Sequence, residues 1–216
     1  MKNILIVFLI FVNSFLFAQN VEKSTFFTSS EFGIYGGLNF NTLSHIYGSF
    51  YFEGRTNLTS NINLKLSAGY YKIFSFESYT VDSYEYVHIG DYSKYNTITY
   101  NVLRTEYQVI PISIGAQYNF IHNISTYYAF FDVSYNFIDP LTYQTPAVTT
   151  GEYNSISDIP GKYKIESNLP NNSYGLAFGA GAMYKLFSSF SIDIRYLFKY
   201  DSEIVNTHQL LIGFVF

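Results

Sequence analysis

The sequence predicts an all-β fold: a single eight-stranded antiparallel transmembrane up-and-down β-barrel. Three observations carry this expectation. Hydrophobicity alternates with period two through eight segments, each long enough to cross a bilayer on a tilt. One face of every segment is free of charge. The connections between segments alternate between tight turns and long stretches, as in barrels that cross an outer membrane.

The chain opens Met1-Lys2-Asn3, continues almost wholly apolar from Ile4 to Phe17, and reaches Ala18-Gln19-Asn20. A short basic start, an apolar run and a small residue near its end predict a secretory signal peptide over 1–19, with the barrel domain over 20–216. The run is too short for a membrane helix, which needs about 20 apolar residues, and Asn13-Ser14 interrupt it. Removing it takes away only Lys2, so the formal charge of the remainder is −5, from 11 basic and 16 acidic residues.

The eight segments are Phe32–Asn41, Phe50–Leu58, Ile62–Phe74, Gln108–Tyr118, Ile124–Phe137, Ser173–Leu186, Phe190–Tyr200 and Asn206–Phe216. Soluble strands more often run about 5–6 residues. Thr59-Ser60-Asn61, Asn119 to Asn123 and Phe187 to Ser189 read as tight turns. Long stretches, 75–107 and 138–172, follow the third and fifth segments. Alternation persists through Thr97 to Gln108, which predicts a rigid hairpin beyond the membrane. The 138–172 stretch holds Pro140, Pro146, Pro160 and Pro170 and is expected to be irregular.

Parity then assigns the faces. Rows such as Ile62/Leu64/Leu66/Ala68/Tyr70 and Phe190/Ile192/Ile194/Tyr196/Phe198 carry no charge, whereas the opposite rows hold Glu53, Arg55, Lys65, Asp132, Asp193 and Arg195. A soluble barrel would turn the apolar rows inward; a membrane barrel inverts this, because a charge on the lipid face costs about 2–4 kcal/mol at the midplane. Strand length favours the membrane arrangement, which makes the six charged residues an interior structural cluster. Tyr70, Tyr118, Tyr127, Tyr135, Tyr184 and Tyr196 fall near segment ends, where a ring with a polar tip suits the headgroup level. Tyr35, Tyr71, Tyr128 and Phe130 share the inward parity with eight glycines, which predicts a filled lumen with glycine beside each ring.

Composition excludes several functions. The chain has 216 residues, with 12 Lys+Arg against 16 Asp+Glu and no basic cluster, so it lacks the footprint of a nucleic-acid binder. With no cysteine there is no disulfide, thiolate metal site, Cys nucleophile or lipidated Cys. No metal or phosphate-binding motif occurs, and no cofactor is expected. Of the histidines His45, His88, His122 and His208, only His88 lies among residues that could build a triad: Asp82, Ser83, Glu85 and Asp91. Those types are equally ordinary loop composition, so no enzyme is expected.

The final run Leu210-Leu211-Ile212-Gly213-Phe214-Val215-Phe216 alternates apolar residues to a terminal Phe. Its outward set, Leu210, Ile212, Phe214 and Phe216, resembles the targeting strand that the barrel-assembly machinery reads. Gly33 to Phe40, Ile110-Pro111-Ile112-Ser113-Ile114, Gly175 to Lys185 and Ile192 to Lys199 resemble the PorT-like outer-membrane β-barrel domain of the Bacteroidetes. That resemblance implies an eight-stranded barrel among the lipids of an outer membrane and no single activity, although one branch of the group serves type IX secretion.

The expected role is structural, or binding through the long outer loops. Tyr79, Tyr84, Tyr86, Tyr92 and Tyr95 stand near Glu77, Asp82, Glu85 and Asp91, and tyrosine gives a large contact area at small entropic cost. Two alternatives stay open. One is a narrow conduit for small apolar molecules, opening laterally beside the glycine-rich sixth segment; the other is an accessory component of protein secretion.

Overall fold

The structure is a computed structural model and describes residues 29–41, 45–89, 92–120, 125–164 and 169–216. The leader expected over 1–19 lies outside the described residues, as does His122. Strands β1 (Ser30–Phe40), β2 (Ile46–Asn57), β3 (Ile62–Ser75), β5 (Tyr92–Asn119), β6 (Ser125–Gln144), β8 (Asn172–Phe187), β9 (Phe190–Asp201) and β10 (Thr207–Val215) form one antiparallel circuit. The wall closes where β1 meets β10, in register from Gly33↔Val215 to Phe40↔His208. The eight segments expected from alternation are these eight strands, most within a few residues at each end.

The parity also holds. Outward rows are apolar and exposed, among them Leu66, Ile114, Phe131, Phe178, Ile194 and Ile212. Inward rows are buried and largely polar or small. On β8 the outward row runs from Tyr174 to Tyr184. At about 3.3 Å per residue and about 40° of tilt it rises about 25 Å, the height of a membrane barrel's apolar band.

The glycines explain how eight strands enclose so many rings. A Cβ on Gly33 would sit 2.6 Å from Tyr35 Cε2, and one on Gly179 would sit 2.7 Å from Phe130 Cζ. Gly213 lies under the Tyr35 ring and Gly69 under Tyr51, a lumen ring that parity also turns inward. Pro111 occupies a central strand, where its missing N–H removes a ladder bond. The β3–β5 ladder lapses there for two pairs, between Ala68↔Ile112 and Tyr71↔Val109, and resumes in the same register.

Two strands run past the barrel. β5 pairs β3 from Tyr118 up to Thr105, then pairs β4 (Tyr79–Ile89) from Val102 to Tyr92. Its 28 residues extend about 90 Å at the usual rise per residue. On its other side β6 accompanies β5 as far as Gln144, and β7 (Val148–Tyr153) takes over. The result is a three-stranded tower, β4-β5-β7.

The expectation of an irregular 138–172 stretch is therefore wrong for its first half. Pro140 sits inside β6, opposite Tyr107. The Ile138 N–H bonds Asn171 on the β8 side at 2.8 Å, so Pro140, of the same parity, turns its missing N–H to that side. The β6–β8 ladder has already ended at Phe137↔Asn172, so nothing is lost there. Short 3₁₀ turns at Ile156–Asp158 and Gly161–Lys164 follow.

Candidate functional sites: a filled lumen and a tyrosine tower

Inside the barrel the alternating inward positions of β2, β3, β6 and β9 aim three acids and three bases at one another. Arg55 Nη2 lies 3.1 Å from Asp193 Oδ2, and Arg195 Nη1 lies 2.7 Å from Glu53 Oε2. Lys65 Nζ reaches Asp132 at 3.2 Å and Glu53 at 3.5 Å. Arg55 Nε is 3.2 Å from Glu53 Oε1, close enough for charge attraction without hydrogen-bond alignment. All six residues predicted as an interior cluster thus meet in one network of zero formal charge.

Rings seal it. Tyr35 Oη donates to Asp193 Oδ2 at 2.9 Å and accepts from Arg55 at 2.5 Å, while Tyr128 donates to the other carboxylate oxygen at 2.5 Å. The Arg195 guanidinium lies 3.5 Å from the Tyr35 ring centre, and Lys65 Nζ lies 3.8 Å from that of Phe130. A cavity of about 30 Å³ beside Glu53, Asp132, Ser134 and Arg195 is the size of one water.

A second polar layer lies nearer the long loops, and the sequence reading missed it. Lys199 donates to Asn136 Oδ1 at 2.9 Å; Asn136 and Ser173 donate to Asp201 at 2.7 and 2.9 Å. The parity that exposed the first layer points these residues inward too. The apolar core of Tyr71, Ile73, Val109, Leu197 and Leu211 fills further lumen, and Ile204 and Val205 of the β9–β10 connection fold onto it. At the short-turn end the lumen widens to a mouth of about 520 Å³ lined by neutral polar groups such as Ser60, Asn63, Asn119 and Ser191.

On the outer surface Tyr70 donates to Gln108 at 3.1 Å, and the Tyr196 hydroxyl meets His208 Nδ1 at 2.6 Å. Of the six proposed girdle tyrosines, Tyr118, Tyr127, Tyr184 and Tyr196 are each about half exposed. The seam beside the glycine-rich strand is shut. β8 is paired to β6 from Asn172 to Tyr184 and to β9 from Gly175 to Phe187, so glycine there accommodates lumen rings rather than opening the wall.

The tower collects part of the tyrosine set. Tyr86 faces Tyr95 across the β4–β5 ladder, with ring centres 5.1 Å apart, and Tyr84 lies 6.3 Å from Tyr95. Tyr79 has the opposite parity on β4 and is paired to Val102 at the tower's base; Tyr92 enters the ladder opposite Ile89. At the tip His88 Nδ1 lies 2.6 Å from Ser93 Oγ, in the open. Asp82 is engaged elsewhere, with Thr99 at 2.6 Å and Lys162 at 3.4 Å, and Ser83 and Glu85 have the opposite parity. Asp91 lies outside the described residues, so no described acid completes a triad with His88.

The Asp82–Lys162 contact fastens the Gly161–Lys164 turn to the tower, assisted by Thr150 donating to Tyr163 at 2.9 Å. The Thr99 hydroxyl, then Lys162, hold the Asp82 carboxyl below its ordinary range. A carboxyl lowered on folding stabilises the fold above its unfolded pKa, about 3.9, and that contribution is lost as pH falls through the folded value. Amide protection factors across 148–164, which remove the intrinsic pH dependence of exchange, are therefore expected to stay constant from pH 8 to 5 and to fall below about pH 4. A loss of protection already at pH 6 would assign the fastening to another group.

No family model matches the chain, and no curated protein matches its sequence. Among solved structures the chain is similar to Neisserial surface protein A, at 12% identity and a TM-score of 0.49, over 86% of this chain and 94% of that one. It is also similar to Ail, the attachment invasion locus protein of Yersinia pestis, solved with the heparin analogue sucrose octasulfate. That match has 12% identity and a TM-score of 0.44, over 87% of this chain and 97% of Ail. A third is the N-terminal β-barrel domain of Pseudomonas aeruginosa OprF, at 15% identity and a TM-score of 0.43, over 86% and 97% of the two chains.

Proposed function

We propose that this chain is an integral outer-membrane barrel that displays the β4-β5-β7 tower at the cell surface as a binding element and performs no catalysis. One observation carries the reading: the chain is inside out for water. Its apolar rows are exposed around the whole wall, while the six charges of the central network and Lys199 and Asp201 above them lie buried in the lumen. Only lipid around the barrel makes that distribution favourable. The tower, continuous with the wall, then projects its tyrosines beyond the lipid, Tyr86 exposed and Tyr84 and Tyr95 partly so.

The remaining parts of the proposal rest on sequence. They are export by the 1–19 leader, recognition of Leu210, Ile212, Phe214 and Phe216 by the barrel-assembly machinery, and kinship with the PorT-like Bacteroidetes group. A conduit for apolar molecules has little support, since side chains fill the described lumen at successive levels and the β8 seams are paired. A role as accessory to protein secretion would use the same tower as its contact surface.

The test is direct. Membranes from cells expressing the chain are extracted in detergent and run with and without boiling. Proteinase K is applied to intact cells in parallel. Heat-dependent migration, together with cleavage confined to the tower, is the expected result. A protein that stays soluble after cell lysis, or a tower cut only in broken cells, overturns the reading.

A further inference from the structure

The two edges of the tower sheet differ. β7 is short and its ladder with β5 carries a register shift at Thr97/Ile98, a common way of blunting an edge. β4 is straight: it pairs β5 from Tyr79↔Val102 to Ile89↔Tyr92 without a shift, and among the described residues no other backbone hydrogen-bonds to it, although the Gly161–Lys164 turn packs against it and holds the Asp82 side chain through Lys162. It contains no Pro and no Lys, the residues that usually protect a free edge.

The hydrogen-bonding groups on that edge can be assigned. Asn101 exchanges two bonds with Thr145, through its carbonyl at 2.9 Å and its N–H at 3.0 Å. Asn101 therefore faces away from β4, and its neighbours of even number face β4. It follows that Tyr79, Val81, Ser83, Glu85, Val87 and Ile89 bond β5, whereas Thr80, Asp82, Tyr84, Tyr86 and His88 offer their N–H and C=O groups outward.

We propose that this edge pairs with β4 of a second copy of the chain, antiparallel and centred on Tyr84. The sequence is self-complementary in that register. Tyr79 meets Ile89, Val81 meets Val87, Ser83 meets Glu85 and Asp82 meets Tyr86, so apolar residues face apolar ones and no two acids oppose each other. A parallel in-register pairing would set Asp82 on Asp82 and Glu85 on Glu85. A shift centred on Glu85 would set that residue on itself. The antiparallel arrangement also determines geometry. Because β5 runs continuously from barrel to tower, reversing the strand direction places the partner's barrel at the far end. The contact joins two apposed membranes rather than two neighbours in one.

The inference rests on outward display of the tower, so its test reads display separately. The full-length barrel is reconstituted into two vesicle populations carrying donor and acceptor lipid dyes, and clustering is read by energy transfer and light scattering. Wild type is expected to cluster its vesicles. Tyr86→Pro, which deletes an edge N–H that β5 does not use, is expected to disperse them, as is Ser83→Glu, which puts an acid against Glu85 twice. Mixing Ser83→Glu vesicles with Glu85→Lys vesicles is expected to restore clustering. Boiling-dependent migration confirms that each variant is folded, and protease access confirms that its tower faces out. Dispersed wild-type vesicles with accessible towers overturn the pairing and leave the barrel reading intact. Clustering of Ser83→Glu alone at the wild-type level overturns the register and with it the proposal.

Discussion

Asp193→Ala is expected to destabilise the barrel by about 3–5 kcal/mol, the cost of stranding buried partners when one member of an interior ion pair is deleted. Asp193 is fully buried and accepts from Tyr35, Arg55 and Tyr128, so its loss leaves two hydroxyls and a guanidinium short of an acceptor at once. The Arg55 charge keeps Glu53 at 3.2 Å, but that contact lacks hydrogen-bond alignment and Glu53 is already shared with Lys65 and Arg195. Urea unfolding of the protein in lipid, followed by boiling-dependent migration, measures the effect. A second arm separates unpaired charge from lost packing. Asp193→Leu combined with Arg55→Met is expected to recover the share owed to the unpaired guanidinium, since a whole buried pair exchanged for apolar groups is often neutral, while the Tyr35 and Tyr128 hydroxyls still lack their acceptor. A single variant within 1 kcal/mol of wild type would show that water in the lumen, not side-chain pairing, satisfies these groups.

The wall was readable because one variable, parity, decides both faces of every strand. In lipid the outward residue pays for any charge and the inward residue must fill a narrow lumen, so Ile194 beside Arg195 already states which way each points. Where the environment no longer alternates, the signal weakens. Lys199 and Asp201 follow the same parity but sit near the strand end, where charge also suits a loop. β7 has six residues, one of them Gly151, and holds its place by pairing with a strand some fifty residues away. Pro140 reads as a strand breaker, and only the end of the β6–β8 ladder shows that its position needs no donor. The tower tyrosines were visible as a cluster in sequence, and parity on β4 already splits Tyr79 from Tyr84 and Tyr86, but bringing Tyr95 to their side depends on the β4–β5 register.

Ile194→Arg is expected to destabilise the folded barrel in lipid by about 2–4 kcal/mol, the cost of a cation on the outer face at the bilayer midplane. Ile194 lies half-way along β9, outward and half exposed, paired to Ile212 on one side and Ala182 on the other, with Asp193 next to it in the chain turned into the lumen. The sign of the effect distinguishes the two arrangements that alternation allows. In a soluble barrel a half-exposed Ile→Arg change on the outer surface would be neutral or would improve solubility. In lipid the guanidinium must snorkel or thin the bilayer, and mid-strand it is far from either headgroup layer. Ser30→Arg at the short-turn end supplies the depth control. It is exposed at the rim of the mouth, where the same cation is expected to cost no more than about 1 kcal/mol. Equilibrium unfolding in vesicles measures both variants. Equal effects at the two positions would mean that no hydrocarbon surrounds β9, and the membrane assignment would fall with them.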